Sequence, residues 1–376
     1  MRKRPLITTV VGARPNFVKA AGLVRGFREN PSIRHILLHT GQHYDHPLDK
    51  ALFADLNLPK PITNLGVGSG THGAQLGALF TKLGPALEKL RPDLLLVVGD
   101  VNSTLAATVL ASRAGIASGH VEAGLRSRDL TMPEESNRII ADHLATLLFA
   151  PSLDAVDNLR SEGIRGEGVW MVGNVMVDAL RMLLPHAKKA RACVRFNLRP
   201  GSYALLTLHR AETVDHPKRF ARILEAVHGI ASDLPILFPV HPRARKHLPK
   251  RRFLISPGEA TSRSHAILIA PPQGYLDFLS LQSDARLVLT DSGGVQEETT
   301  VLGIPCVTIR DVTERPITVS RGTNVVAGRD PDGIITAARR QLERPKTSRR
   351  RPPLWDGKTG HRIARRCAYF LGLSAF

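Results

Sequence analysis

The chain is 376 residues long, 43% apolar and 23% charged, with 31 Gly and 26 Pro; the length suits two domains, and the composition excludes wholesale disorder, a coiled coil and collagen. Its 52 Lys and Arg against 33 Asp and Glu give a formal net charge of +19, which raises nucleic acid as a partner. The excess is mainly arginine, at 243–252 and 339–351, and the aromatics, 5% of the chain, do not interleave with those runs, so they read as a solvated surface rather than a base-stacking platform.

From the N-terminus, MRKR leads into an apolar stretch running only from Leu6 to Val11, and Gly12, Ala13, Arg14 and Pro15 follow at once. A signal peptide needs an apolar core of roughly 7–15 residues, so this stretch is expected to be a first strand, 6–12, and the protein cytoplasmic. No run approaches the ~18 apolar residues of a membrane span. Further strands are expected at 35–41, 93–100, 119–123, 147–152 and 169–174. A second series follows at 203–210, 235–242, 266–272, 285–292, 306–311 and 323–328. Short apolar runs of this kind, separated by helices, are the pattern of buried parallel strands. The spacing of Leu76, Leu79, Phe80, Leu83, Leu87 and Leu90 predicts a helix over 72–90, and Pro133 precedes another over 134–148. Two series of strands imply an α/β chain of two doubly wound, Rossmann-like domains facing across a cleft, residues 1–178 and 179–357, with a last helix over 358–376. The cysteines, Cys193, Cys306 and Cys367, are odd in number and far apart, and neither C-x-x-C nor H-E-x-x-H occurs. No disulfide framework and no metal site are expected.

In a parallel sheet, ligands bind beyond the carboxyl ends of the strands, and here those ends carry able side chains. Arg14 follows the first strand, with Lys19 a turn later. Asp100 ends LLLVVGD, Glu122 ends GHVEA, His209 and Arg210 end LLTLHR, His241 ends LFPVH, Asp291 and Ser292 end LVLTDS, and Arg310 ends VTIR. Asp100 also suits a cap on a helix opening at 101–107. Glu134 and Glu135 suit the dipole of a helix N-terminus, and either histidine suits a satisfied strand end. The stretch LTDSGGVQEETTVLG, 289–303, runs a strand through Ser292, Gly293 and Gly294 into a helix. Glycines allow close backbone approach, and helix N-terminal amides favour an anion such as a diphosphate. Glu298 stands on the first turns of that helix, where a carboxylate accepts ribose hydroxyls, and the stretch 310–316, with Arg310 and Arg315, offers guanidiniums to the same anion.

In order along the chain, VVGARPNFVKAAGL, LLHTGQHYD, LLVVGDVNSTLAA, GHVEAGLRS, MPEESNR, LTLHRAETVD, PVHPR, PQGYLDFLSL, LTDSGGVQEETTVLGIPC and RDVTERP together resemble the non-hydrolysing UDP-N-acetylglucosamine 2-epimerases. The resemblance implies the glycosyltransferase-B-type fold, a last helix that returns to the N-terminal domain, a homodimer, and work on a UDP-sugar without cofactor, metal, nucleic acid or membrane. It implies catalytic roles for Asp100, Glu122, Glu134 and His209. Substrate contacts fall to Arg14, Lys19, Gln273, Phe278, Ser292, Gly293, Gly294, Glu298 and Arg315, with Phe278 and the Gln273 backbone at the uracil, Ser292 and Gly294 at the diphosphate and Glu298 at the ribose. The implied reaction removes UDP and the C2 proton to leave a 2-acetamidoglucal, then re-adds UDP with a proton on the other face. The best-studied bacterial members carry Arg where this chain has Tyr44, near an allosteric substrate site, so substrate activation does not carry over with the resemblance, although Gln42, His43 and His241 remain. Relatives acting on UDP-2,3-diacetamido-2,3-dideoxy-glucuronate share GARP and TGQHYD. They and the hydrolysing 2-epimerases are the alternative readings, with a basic nucleic-acid-binding protein as the non-enzymatic one.

Overall fold

The computed structural model describes residues 4–42, 53–256, 266–344 and 351–373. The chain forms two compact units, one running to Met182 and resuming at Pro353, the other Leu183–Pro352. Among the described residues each unit holds a seven-stranded sheet, and all the strand pairs are parallel.

In the first unit the strands are β1 (Leu6–Val11), β2 (Arg34–His39), β3 (Thr63–Asn64), β4 (Leu94–Val98), β5 (Ser118–Val121), β6 (Leu147–Ala150) and β7 (Val169–Met171), in spatial order β3-β2-β1-β4-β5-β6-β7. Burial on both faces follows the two-residue period of a strand. In β4, Leu94, Leu96 and Val98 pack with Leu23, Phe27 and Ile363, whereas Leu95 and Val97 pack with Leu83, Leu87, Ala107 and Ala111. The second unit repeats the plan with β8 (Ala204–Thr207), β9 (Ile236–Pro239), β10 (Leu254–Ile255), β11 (Ile267–Ala270), β12 (Leu287–Thr290), β13 (Cys306–Thr308) and β14 (Asn324–Val326), in order β10-β11-β9-β8-β12-β13-β14. Both are doubly wound Rossmann-like sheets. The winding reverses between β1 and β4 in one and between β8 and β12 in the other, and such switch points are where α/β sheets bind ligands.

Each expected strand is present and one to four residues shorter than its apolar run, trimmed at one end or at both, while β2 and β5 begin one residue before the expected start. The edge strands β3 and β10 have two residues each, too few to leave a periodic signal. The expected helix over 134–148 is corrected to Pro133–Leu144. Ala145 turns extended, and the run that follows pairs with β5 and β7 instead, because Leu147, Leu148 and Phe149 are buried as strand residues.

The helix Thr359–Phe370 packs on the helix Arg14–Arg28. Its first turn is held from outside, since the Asp178 carboxylate accepts from the Thr359 and Gly360 amides at 3.1 and 2.7 Å. The crossing is glycine on glycine: a methyl group at Gly360 collides with the backbone of Gly22, and one at Gly26 with the backbone of Gly360. Gly360→Ala is therefore expected to cost roughly 1–3 kcal/mol or more and to lower Tm by about 2–4 °C per kcal/mol. An unchanged Tm in differential scanning calorimetry rules out this packing.

Candidate active site

The first cluster lies beyond the carboxyl ends of β1, β4 and β5. Lys19 and Glu122 are both buried and form an ion pair, Nζ to Oε2 at 2.6 Å, while the other carboxylate oxygen of Glu122 has no hydrogen-bond partner among the described residues. Glu122 sits at φ 74°, a left-handed conformation that a non-glycine residue holds only where its surroundings compel it. Gly99, at φ 70°, leaves no room for a side chain: a Cβ there comes within 2.8 Å of Lys19 Nζ and 3.7 Å of Glu122 Oε2.

Asp100 follows directly. It does not cap the next helix, Asn102–Arg113, whose N-cap is Val101. Instead its carboxylate pairs with the guanidinium of Arg138, and its carbonyl accepts from the Asn137 side chain at 2.8 Å. Arg138 is itself buried and also donates twice to Glu135, at 2.9 and 2.7 Å. Burial works against the charge of Glu135, but the Ser127 and Arg128 amides and the Arg138 guanidinium hold its carboxyl below the ordinary range. Glu135 therefore anchors Arg138. Its neighbour Glu134 is half-buried, and its side chain has no hydrogen bond or ion pair with another described residue. A carboxylate fixed by a guanidinium, near another with one oxygen left unpartnered among the described residues, is equipment for moving protons.

The second cluster surrounds the ends of β8 and β12. Asp291 is fully buried and accepts from the backbone amides of His209 and Arg210, at 3.0 Å each through Oδ2, and lies 3.0 Å from His209 Nδ1. Burial opposes its charge, yet His209 and the two amides keep its carboxyl below the usual range. The pairing turns Nδ1 of the half-exposed His209 ring to Asp291, and the ring centroid lies 5.6 Å from that of His241.

Gly293 and Gly294 begin the helix Gly293–Leu302, and Ser292 is its N-cap without a side-chain cap bond. The first amides of such a helix have no partners within it and attract an anion. Against Gly293 lies Arg315: a Cβ on the glycine comes within 2.7 Å of the guanidinium. Arg315 bonds Glu297 and Glu314 at 2.6 Å each, and Glu314 also bonds Arg310 at 2.6 Å and Arg210 at 3.0 Å. Burial disfavours the Glu314 charge, but Arg315, Arg210 and Arg310 push its carboxyl well below the ordinary range. One buried carboxylate thus gathers three guanidiniums beside the helix N-terminus.

Glu298 is buried on the same helix, and Tyr275 donates to it at 2.8 Å. Burial raises its carboxyl to about 7, with the neighbouring charge of Glu297 adding to the effect. Phe278 is half-buried on the helix Tyr275–Asp284 against the core, and the Gln273 side chain donates to the Pro271 carbonyl at 2.7 Å.

The structure therefore gathers Lys19, Asp100 and Glu122 in one cluster and His209, Ser292, Gly293, Gly294 and Arg315 in the other. Arg14 opens its helix, but its side chain lies outside the described parts. Gln42 is buried and donates to Gln75 at 2.8 Å, while His43, Tyr44, Arg349 and Arg350 lie outside the described residues. Sequence reasoning missed Arg138 and Asn137 as holders of Asp100 and Glu314 as the hub of the arginines. The spacing Glu135 to Arg138, three apart on a helix, was the available signal.

A family model described as UDP-N-acetylglucosamine 2-epimerase matches residues 25–367. The UDP-N-acetylglucosamine 2-epimerase of Methanocaldococcus jannaschii is 41% identical over 368 residues, covering 96% of this chain and 99% of that protein. A crystal structure of the Methanocaldococcus jannaschii UDP-GlcNAc 2-epimerase in complex with UDP-GlcNAc and UDP aligns with a TM-score of 0.87 at 41% identity, over 97% of this chain and 99% of that one. The UDP-2,3-diacetamido-2,3-dideoxy-D-glucuronate 2-epimerase of Pseudomonas aeruginosa is 38% identical over 339 residues, covering 89% of this chain and 92% of that protein.

Proposed function

We propose that this chain, which belongs to the UDP-N-acetylglucosamine 2-epimerase family and is an isomerase of its non-hydrolysing type, interconverts UDP-N-acetylglucosamine and UDP-N-acetylmannosamine at C2. The observation that carries the reading is the Asp100–Arg138 and Glu122–Lys19 pairing at the switch point of the first sheet. Two fixed carboxylates meet the needs of a reaction that takes a proton from one face of C2 and returns one to the other.

The C2 proton is not adjacent to a carbonyl, so removing it alone is hard. Loss of UDP from C1 together with that proton gives a 2-acetamidoglucal and free UDP. UDP then re-adds at C1 while C2 receives a proton on the opposite face. In this reading Asp100, Glu122 and Glu134 hold and return the protons. The departing diphosphate is met by the Gly293–Gly294 amides, Ser292 and Arg315, and by His209, oriented through Asp291. Phe278 and the Gln273 backbone take the uracil and Glu298 the ribose, with Lys19 and Arg14 on the substrate. The protein acts as a cytoplasmic homodimer that uses no cofactor, and the step feeds bacterial surface polysaccharide synthesis.

The test is incubation with UDP-N-acetylglucosamine in D₂O, followed by NMR of the sugar. The expected product is UDP-N-acetylmannosamine with deuterium at C2. Free N-acetylmannosamine and UDP as the main products point to hydrolysis instead. The second reading is 2-epimerisation of UDP-2,3-diacetamido-2,3-dideoxy-glucuronate, favoured by the Pseudomonas aeruginosa relative. Turnover of that sugar without turnover of UDP-N-acetylglucosamine selects it.

The Glu298 carboxyl, raised by burial to about 7, makes nucleotide binding depend on pH. Below that pH it is protonated and loses acceptor capacity for two ribose hydroxyls. UDP affinity is expected to rise roughly tenfold from about pH 6 to about pH 8 and then level off, with protons released on binding below pH 7. Calorimetry in two buffers of different ionisation enthalpy measures that release. A flat affinity with no proton release removes Glu298 from the ribose.

A further inference from the structure

His120 belongs to β5 and is wholly buried. Its Nδ1 lies 2.6 Å from Asp142 Oδ1 and its Nε2 lies 2.8 Å from the Gly99 carbonyl oxygen. Both neighbours are acceptors, so satisfying both requires a hydrogen on each ring nitrogen. A buried ring in that state needs a counter-charge, and Asp142 is placed to supply it. The other oxygen of Asp142 accepts from the Gly124 amide at 3.0 Å and from Arg126 at 2.7 Å. Arg126 passes the pairing on to Glu162 through two bonds, at 2.7 and 2.6 Å. The charges alternate from His120 outward, which is how a buried ionic chain offsets its desolvation.

The inner end of this chain is the carbonyl immediately before Asp100. The helix Pro133–Leu144 thus addresses the Gly99–Asp100 segment three times. Asn137 holds the Asp100 carbonyl, Arg138 holds its carboxylate, and Asp142, through His120, holds the Gly99 carbonyl. Gly99 is at φ 70°, a conformation with little intrinsic preference to keep it in place.

We propose that His120 is a positioning residue for the reaction, a doubly protonated imidazole that pins the Gly99 carbonyl and so sets the place of the Asp100 carboxylate. This rests on the reading that Asp100 handles the C2 proton. His120 touches no reacting atom. Its contribution is orientation, where a displacement on the order of 1 Å costs roughly 10²-fold.

Two variants and one measurement on the unaltered protein test it. In His120→Asn the shorter amide retains reach to Asp142 but not to Gly99. Its kcat is expected to fall roughly 10²-fold with KM changed by less than about threefold. In Asp142→Asn the amide oxygen still accepts from Gly124 and Arg126, and the amide nitrogen donates to the Nδ1 of a neutral His120. Nε2–H still reaches Gly99 but without its counter-charge, so kcat is expected to fall, by clearly less than in His120→Asn. Nitrogen-15 NMR of the unaltered protein should show hydrogen on both ring nitrogens of His120, a result that needs no variant to fold. A bare ring nitrogen there overturns the proposal. So does a folded His120→Asn within about threefold of parent kcat, a loss confined to KM, or an Asp142→Asn loss equal to that of His120→Asn. Full turnover in Asp100→Asn sinks the assignment of Asp100 and the role of His120 with it. An inactive Asp100→Asn beside an active His120→Asn sinks His120 alone.

Discussion

Asp100→Asn is expected to bind UDP as the parent does while turnover falls by roughly 10²–10⁴-fold, the range associated with a positioned acid or base. The amide is isosteric with the carboxylate, so a hydrogen bond from Arg138 survives and only the charge and the proton-accepting capacity are lost. Stability should change little. Arg138 keeps its pair with Glu135 at 2.7 Å, and Asn137 still holds the residue 100 carbonyl, now that of the asparagine. The proposed UDP contacts belong to other residues, in the second unit. Calorimetry with UDP beside a turnover assay separates binding from chemistry. Near-parent turnover in this variant would falsify the role of Asp100 and leave proton transfer to Glu122 and Glu134.

Arg315→Ala should fail for a different reason. Arg315 is 6% exposed and lies between Glu297 and Glu314, which are 1% and 2% exposed. Removing a partner from a buried ionic cluster costs about 3–5 kcal/mol, so a lowered Tm is expected. The same guanidinium stands against Gly293, where the diphosphate is proposed to bind. A lost charge-assisted hydrogen bond of about 1.5–3 kcal/mol corresponds to a UDP Kd weakened by roughly 10–150-fold. Arg315→Lys restores the charge without the fork that spans Glu297 and Glu314, and should recover only part of the affinity. A folded Arg315→Ala with unaltered UDP affinity contradicts the placement of the anion.

The candidate site residues were legible because they end apolar strands. Asp100 and Glu122 in the first sheet, and His209 and Ser292 in the second, each follow a short β-branched or leucine-rich run, and the parallel-sheet rule sends such ends to one edge of their own sheet. What holds these residues was much less legible. Arg138 reads in sequence as an ordinary helical arginine, and Glu314 as one charge among several in RDVTERP. Their value comes from burial, which turns weak surface pairs into strong constraints. Glu298 shows the same gap. Its place on the helix was readable, but a carboxyl raised to about 7 reflects desolvation by surroundings distant in sequence.

By itself the sequence determined the α/β class, the alternation of buried strands and helices, and the glycine-opened helix after β12, because these follow from local periodicity and from backbone freedom at Gly293 and Gly294. Tertiary structure alone decided strand order, and with it that β1 neighbours β4 and β8 neighbours β12. That order brings Lys19 to Gly99 and Glu122, and His209 to Asp291, across separations of 80 to 103 residues that no local pattern encodes. It also placed the helix Thr359–Phe370 on the first unit, through the contact of Gly360 with Gly22 and the hold of Asp178 on its first turn. The physical reason is common to all of these. Periodicity reports which face of an element is buried, whereas partners are chosen by long-range packing in which two small residues or two opposite charges must meet in space.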